Sequence, residues 1–254
     1  ALQVHGPVDR SDPHIAAIAR VGIDLSEATV GTTAIGTTLA EQDAVWLHRG
    51  EHFFQHTSVF SCAGAPILGP TGACVGMLDL TGVNVAEQPA LKHLVSQSAR
   101  SIENALTLAQ PHRLLLRLNW PGRVLGDDSD GLVCLDADGF VTGMNRPAAQ
   151  MLGTQLQSGV THADSVLAMP YAALFDAARP QRGALEVPLW SGLRLQMLAQ
   201  RHRAMPPDEH TTHRTSPTSH AVPLKDHEIG LIRKAVEDAR GNVGEAARAL
   251  GISR

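Results

Sequence analysis

One stretch with almost no apolar side chains divides this chain. Residues 202–223, "HRAMPPDEHTTHRTSPTSHAVP", are rich in Pro, Thr, Ser and His. Such a segment cannot bury enough surface to offset the entropy of ordering it. We therefore read 202–224 as a flexible linker with a folding unit on either side. The part before it is long enough for two domains of ordinary size, and 225–254 only for a small module.

Hydrophobic residues make up 43% of the chain, which is enough for packed cores in a soluble protein. No apolar run reaches the roughly eighteen residues that span a bilayer, so no membrane partner is expected. No charged-then-apolar leader opens the sequence, and the expected location is cytoplasmic. The chain does not begin with Met, which places the expected start of the protein upstream. Cys62, Cys74 and Cys134 are an odd number without a CxxC pair, as free thiols in a reducing compartment would be. A net charge of −4 argues against wholesale coating of nucleic acid but leaves room for a small DNA-binding tail. The lysines are Lys92, Lys225 and Lys234, none after glycine, so the sequence holds no G-x-x-x-x-G-K-[ST] phosphate loop.

In the tail, Ile229, Ile232, Ala235, Val236 and Ala239 recur at three- and four-residue steps, which predicts an amphipathic helix. Gly241 stops it and Asn242 caps the next helix, where Val243, Ala246, Ala247 and Leu250 continue the pattern. Gly251 then makes a turn and Ser253 caps a third helix, the layout of a helix-turn-helix. The run "GNVGEAARALGISR" resembles the Fis-type helix-turn-helix of bacterial transcription factors, with Gly244 where Ser or Thr is commoner. That resemblance implies a DNA partner. Arg248 and Arg254 would contact phosphate or bases, while Asn242 and Ser253 would cap helices that present backbone N–H groups to phosphate. The chain stops where the recognition helix should start, so a truncated terminus is expected.

The first part reads as α+β. A helix is predicted over 13–20, capped by Ser11 or Asp12 and burying Ile15 and Ile18. A strand is predicted at 44–47. A hairpin comes next, with one run to Leu68, a Gly-Pro-Thr-Gly turn and a second run over 74–80. The order G-T-x-A-I-G-T-x-L-A, E-H-F, S/T-C-x-x-A-P-I and G-x-L-D-L-T-G over 21–82 resembles one kind of GAF domain. It is similar to the sensor half of acetoin-catabolism and dihydroxyacetone-operon regulators, which are bacterial enhancer-binding activators. Thr33 stands where that family usually carries Asn, and a changed effector is expected if the position touches it. A helix over 87–110 should present Leu91, Leu94, Val95, Ser98, Ile102, Ala105 and Leu106 on one face, closing this domain or pairing with its copy in a homodimer. The GAF module is thus assigned to 1–110.

Pro111 and Pro121 bracket a junction. Beyond it, two strands around Asp136-Ala137-Asp138-Gly139 and a capped helix from Arg146 resemble the opening of a PAS domain, and "GALEVPLWSGLRLQMLAQR" supplies later strands. The PAS-like module is assigned to 121–201. It has no Cys or His placed as in the flavin- or haem-binding kinds, and no cofactor is expected. The fold class is therefore α+β: GAF, PAS-like module, then a small all-α tail.

Trp46, His52, Phe53, Cys62 and Ala65 are the expected lining of a small-molecule pocket in the GAF module, with plain core packing as the duller role for each. His48-Arg49-Gly50-Glu51-His52 matches H-x-x-E-H in letters, but zinc peptidase chemistry needs both histidines on one helix face, and Gly50 and the preceding strand oppose that. His48, His52 and His56 recur every four residues and meet the same objection. The expectation is a DNA-binding regulator that senses a small effector and carries no ATPase. Its rivals are a metal- or haem-dependent sensor using His52 and Cys62, and an adaptor that docks a protein partner.

Overall fold

The computed structural model describes residues 3–6, 11–154, 160–179 and 183–201. The chain divides into two compact units, Ala1–Ala204 and Met205–Arg254. The linker 202–224 and the tail 225–254 lie outside the described residues. The described residues all belong to the first unit, which is α+β. Among them no helix is long and apolar enough to cross a membrane.

Helix α1, Pro13–Ile18, starts as its sequence dictates, with proline in the first turn and Asp12 as cap. The Asp12 carboxylate accepts from the N–H groups of His14 at 2.8 Å and Ile15 at 3.4 Å. Helix α2, Glu27–Val30, ends at Gly31, whose φ of 70° is open to glycine at little cost. A Cβ there would also sit 2.9 Å from the Phe54 ring. Helix α3, Ala34–Glu41, is capped by Thr33, whose hydroxyl accepts from Gly36 N at 3.2 Å. Asn fills such a cap equally well, so the Thr-for-Asn departure falls on a helix start.

Strands β1 (Val45–His48), β2 (Phe60–Leu68) and β3 (Cys74–Val83) form an antiparallel sheet in the order β1-β2-β3. The Gly-Pro-Thr-Gly turn closes with Gly69 N donating to Ala73 O at 2.7 Å. Strand β3 runs past Leu80 to Val83, because Thr81 and Gly82 still pair with Cys62 and Ser61. Helix α3 packs on β2, as does the long helix α4, Ala90–Leu108. The buried face of α4 is not the one its apolar residues predict. Its buried residues are Val95, Ala99, Glu103, Asn104 and Thr107, whereas Leu94, Ile102 and Ala105 are exposed. The small side chain of Ala99 lets the helix lie close to the sheet. Glu103 and Asn104 beyond it meet partners on other elements, while the Thr107 hydroxyl donates to Glu103 O within the helix at 2.9 Å.

The second sheet also differs from expectation. Leu114–Asn119, within the expected junction, is strand β4, the centre of a five-stranded antiparallel sheet. With β5 (Gly131–Leu135), β6 (Val141–Met144), β7 (Leu185–Pro188) and β8 (Arg194–Arg201), the order is β6-β5-β4-β8-β7. The second sheet therefore starts at Leu114, ahead of the boundary expected at 121. Both faces of β4 are covered, which suits the apolar run 114–116, and Arg117 beyond it pairs with the buried Asp130 at 3.5 Å. Leu114, Leu116 and Leu118 join the main core with Val133, Leu135 and Met197, while Leu115 packs with Leu132 and Cys134 on the other side.

That main core is closed by α5 (Arg146–Leu152), α6 (Ala163–Val166) and α7 (Tyr171–Ala177). The expected turn at 136–139 is present, with Asp136 Oδ1 accepting from Asp138 N and Phe140 N, each at 2.9 Å. Helix α4 reaches the opposite face of this sheet, where the Cys134 thiol donates to Thr107 O at 3.3 Å.

A buried amide joins the two modules. Asn145 caps α5 through Ala148 N at 3.0 Å and also accepts from Leu132 N at 2.8 Å. Its NH2 group donates to Asp130 O at 2.8 Å and to Asn104 Oδ1 of α4 at 2.7 Å. Asn104 in turn donates to Asp128 O at 3.1 Å. Every hydrogen-bonding group of the Asn145 side chain is used.

Candidate ligand site

Side chains on a strand alternate between faces, and this decides which of the five expected pocket residues can meet. Across the first sheet Trp46 sits opposite Ala63, and Leu47 opposite Cys62 and then Thr81. Trp46 and Ala65 therefore lie on one face, packed with Val95 and Ala99 of α4. Cys62 lies on the other, with Ala34 and Phe60. His52 is 4% exposed and meets Phe60 edge-on at 6.4 Å between centroids, on the Cys62 side. Phe53 is 71% exposed and touches the Phe54 ring at 5.0 Å. The five residues do not line one cavity. Cys62 and Ala65 are three apart in a strand, so the sequence already placed them back to back.

On the α3 face, Val45, Gly64 and Asp79 form a row across the three strands. A Cβ on Gly64 would lie 2.5 Å from Thr38 Oγ1 and 2.9 Å from Met77 Cε, so α3 rests directly on the strand. Thr38 Oγ1 and Asp79 Oδ1 are buried without a hydrogen-bond partner, while the Thr81 hydroxyl donates to Asp79 Oδ2. Burial pushes the Asp79 carboxyl up to about 6, with the Thr81 hydrogen bond working against it. Burial, with the Asp79 charge behind it, pushes the Cys62 thiol up to about 12. Cys62 is thus a protonated thiol at neutral pH, neither a nucleophile nor a ready metal ligand.

The histidines do not share a helix. His48 ends β1, bonds Ser61 Oγ through Nδ1 and stacks on Trp46 at 5.6 Å. Glu51 accepts from His48 N at 2.6 Å, capping a 3-10 turn, and His56 stacks on Phe54 at 5.2 Å. His52 Nδ1 lies 3.0 Å from Arg49 O. A carbonyl only accepts, so Nδ1 carries the hydrogen and the buried Nε2 is left without a partner. Among the described residues no group of three or more His, Cys, Asp or Glu is arranged to hold a metal ion.

Sequence reasoning missed a cleft of about 230 Å³ where the two modules meet. Its walls are Asp43 and Ala65 of the first sheet region, Arg100 and Glu103 of α4, and Arg146 and Gln150 of α5. Of the expected pocket residues, Ala65 lines it. Glu103 is 4% exposed, and its Oε1 accepts from Leu68 N at 2.8 Å, where a register shift in β2 frees that N–H. Burial raises the Glu103 carboxyl above the usual range, while the hydrogen bond from Leu68 N and the charges of Arg146 and Arg100 oppose this. Arg146 also reaches Asp43 at 3.9 Å across the seam. The cue was the Val95, Ala99, Glu103 spacing, which puts the acid on the buried row of α4.

Asn242, Arg248, Ser253 and Arg254, the expected DNA contacts, lie outside the described residues.

Known proteins share parts of this chain. Residues 6–106 match the GAF domain, and 223–254 match the Fis family of bacterial regulatory proteins. The signal-transduction and transcriptional-control protein of Clostridium beijerinckii is 28% identical over 132 residues, 52% of this chain and 21% of that protein. The acetoin catabolism regulatory protein of Cupriavidus necator is 30% identical over 162 residues, 62% of this chain and 24% of that protein. The chain thus spans about a fifth to a quarter of the length of the curated relatives it matches. The crystal structure of the E. coli DhaR(N)–DhaL complex aligns over 80% of this chain and 75% of that one, at 16% identity and a TM-score of 0.39.

Proposed function

We propose that this chain, with its GAF domain and its Fis-family segment, is a transcriptional regulator that reads a small-molecule effector and answers on DNA. The observation that carries the reading is the presence of both matches in one chain, separated by the PAS-like module and the linker. A sensor and a helix-turn-helix in the same polypeptide couple ligand state to DNA occupancy through differential affinity.

The regulator acts as a homodimer, with α4 carrying the signal. One face of α4 closes the GAF sheet, and a second strip, Leu94, Ile102 and Ala105, points outward, available to a copy of itself. No phosphate-loop motif stands between the sensor and the helix-turn-helix, which supports action by DNA occupancy rather than by an ATPase of its own. Two tails on one dimer would engage a palindromic site.

The test is footprinting of DNA upstream of the protein's own gene with the full chain, alongside Arg248→Glu. Protection that weakens about tenfold or more in the variant is expected, since a phosphate or base contact becomes a repulsion. No protected site, or equal protection by both proteins at moderate salt, would overturn the assignment.

A further inference from the structure

The seam between the two modules holds a side-chain set that no packing role fully uses. Glu103 is nine-tenths buried, spends Oε1 on Leu68 N, and leaves Oε2 to accept from whatever enters the cleft. Arg100 and Arg146 line the same space from opposite modules, one on α4 and the other on α5. Arg146 is held toward the first sheet by Asp43 at 3.9 Å, beyond ordinary hydrogen-bond length. Two arginines lining a space that also holds Asp43 and Glu103 can take a carboxylate, which a planar fork of N–H donors binds through both oxygens. The second Glu103 oxygen beside them suits a hydroxyl or ammonium on the same ligand. The small volume of about 230 Å³ limits that ligand to a few carbons.

We infer that this cleft binds a short carboxylic acid bearing a hydroxyl or amino group beside the carboxylate. Arg100 and Arg146 take the carboxylate, and Glu103 accepts from the adjacent donor. Ala65 and Ala99 supply the small floor that leaves room for it. A ligand seated there touches the GAF sheet, α4 and α5 at once, so its binding energy sets how the two modules sit against each other. The assignment rests on the effector-sensing reading proposed for this chain, whose effector it places at the seam.

The test is calorimetry on the full chain, without DNA, using L-lactate, L-serine, propionate and glycerol as probes. Lactate or serine should bind at least about tenfold tighter than propionate, which lacks the donor, and glycerol, which lacks the carboxylate. Arg146→Gln and Glu103→Gln should each remove about tenfold or more of that affinity. Glu103→Gln keeps an oxygen for Leu68 N, and unchanged thermal unfolding of both variants confirms that the fold survives. Absence of binding by all four probes, equal binding of propionate, or full affinity in Arg146→Gln would each overturn the inference. Failure to bind while the protein still protects DNA defeats this assignment alone, and lactate binding without DNA protection defeats the regulator reading alone.

Discussion

Replacing Asn145 by alanine should be among the most damaging single changes to the described unit. The side chain is 2% exposed and makes four hydrogen bonds, to Ala148 N, Leu132 N, Asp130 O and Asn104 Oδ1. Truncation leaves two backbone N–H groups and two oxygens without this partner, in a place water does not reach. A buried polar group left unsatisfied costs about 1–3 kcal/mol, and neighbouring losses do not add fully. A total of about 3–5 kcal/mol is therefore expected, or a drop in melting temperature of roughly 10 °C for a unit of this size. Urea unfolding followed by circular dichroism measures it. Asn104→Ala should cost less, since the cap of α5 and the Leu132 bond survive. The double variant should lose less than the sum of the singles, because the 2.7 Å Asn145–Asn104 bond is counted in both. A loss below about 1 kcal/mol for Asn145→Ala, or strict additivity, would refute the idea that this amide ties the modules together.

Three other outcomes are expected from the geometry. Burial raises the Asp79 carboxyl from 3.8 to about 6, so the folded state holds a proton there that the unfolded state releases. Its charge thus lowers stability above about pH 6, by at most about 3 kcal/mol. Asp79→Asn should be the more stable protein near pH 8, its advantage shrinking as pH falls through 6 toward 4, and a pH-independent difference in urea midpoint would count against this. Gly131→Ala puts a methyl group 2.9 Å from the Ala148 Cα, so α5 must move, at a cost of about 1–3 kcal/mol in unfolding free energy. In thiol labelling of the native protein Cys74, which is exposed, should react at once, while Cys62 and Cys134, buried and pushed up to about 12, should react only on unfolding.

The features legible in the sequence were those whose causes are local. The β2–β3 hairpin announced itself through two apolar runs around Gly-Pro-Thr-Gly, and α1 through Asp12 followed by proline. The Asp136-Ala137-Asp138-Gly139 turn was equally plain. Strand β4 is hidden because both its faces are covered, so 114–116 run apolar without alternation and the alternation at 116–119 is too short to mark a strand between two prolines. The buried face of α4 is hidden for a related reason. Counting apolar residues favoured Leu94 and Ile102, but Glu103 is drawn inside by Leu68 N and Asn104 by Asn145, partners 35 and 41 residues away. No periodicity carries that information. Chemical type alone groups Cys62 with Ala65 as pocket residues, and the strand's two-residue alternation separates them. The cleft at the seam needed the fold itself, since Glu103 and Arg146 approach each other only once the two sheets share a helix.

That shared helix changes what counts as a domain here. The GAF match ends at 106, and a cut near there looks natural on a linear map. Yet α4 is at once the lid of the first sheet and the backing of β5 in the second, through Thr107 and Asn104. Expressed alone from residue 114, the second module would turn Leu115, Leu132 and Cys134 toward water. A chain ending at α4 would carry Asn104 and Thr107 on a newly wetted surface. The two sheets thus lean on one helix as a common wall, so neither half can be exchanged for a foreign one unless the incoming sequence also supplies the back of the other's sheet.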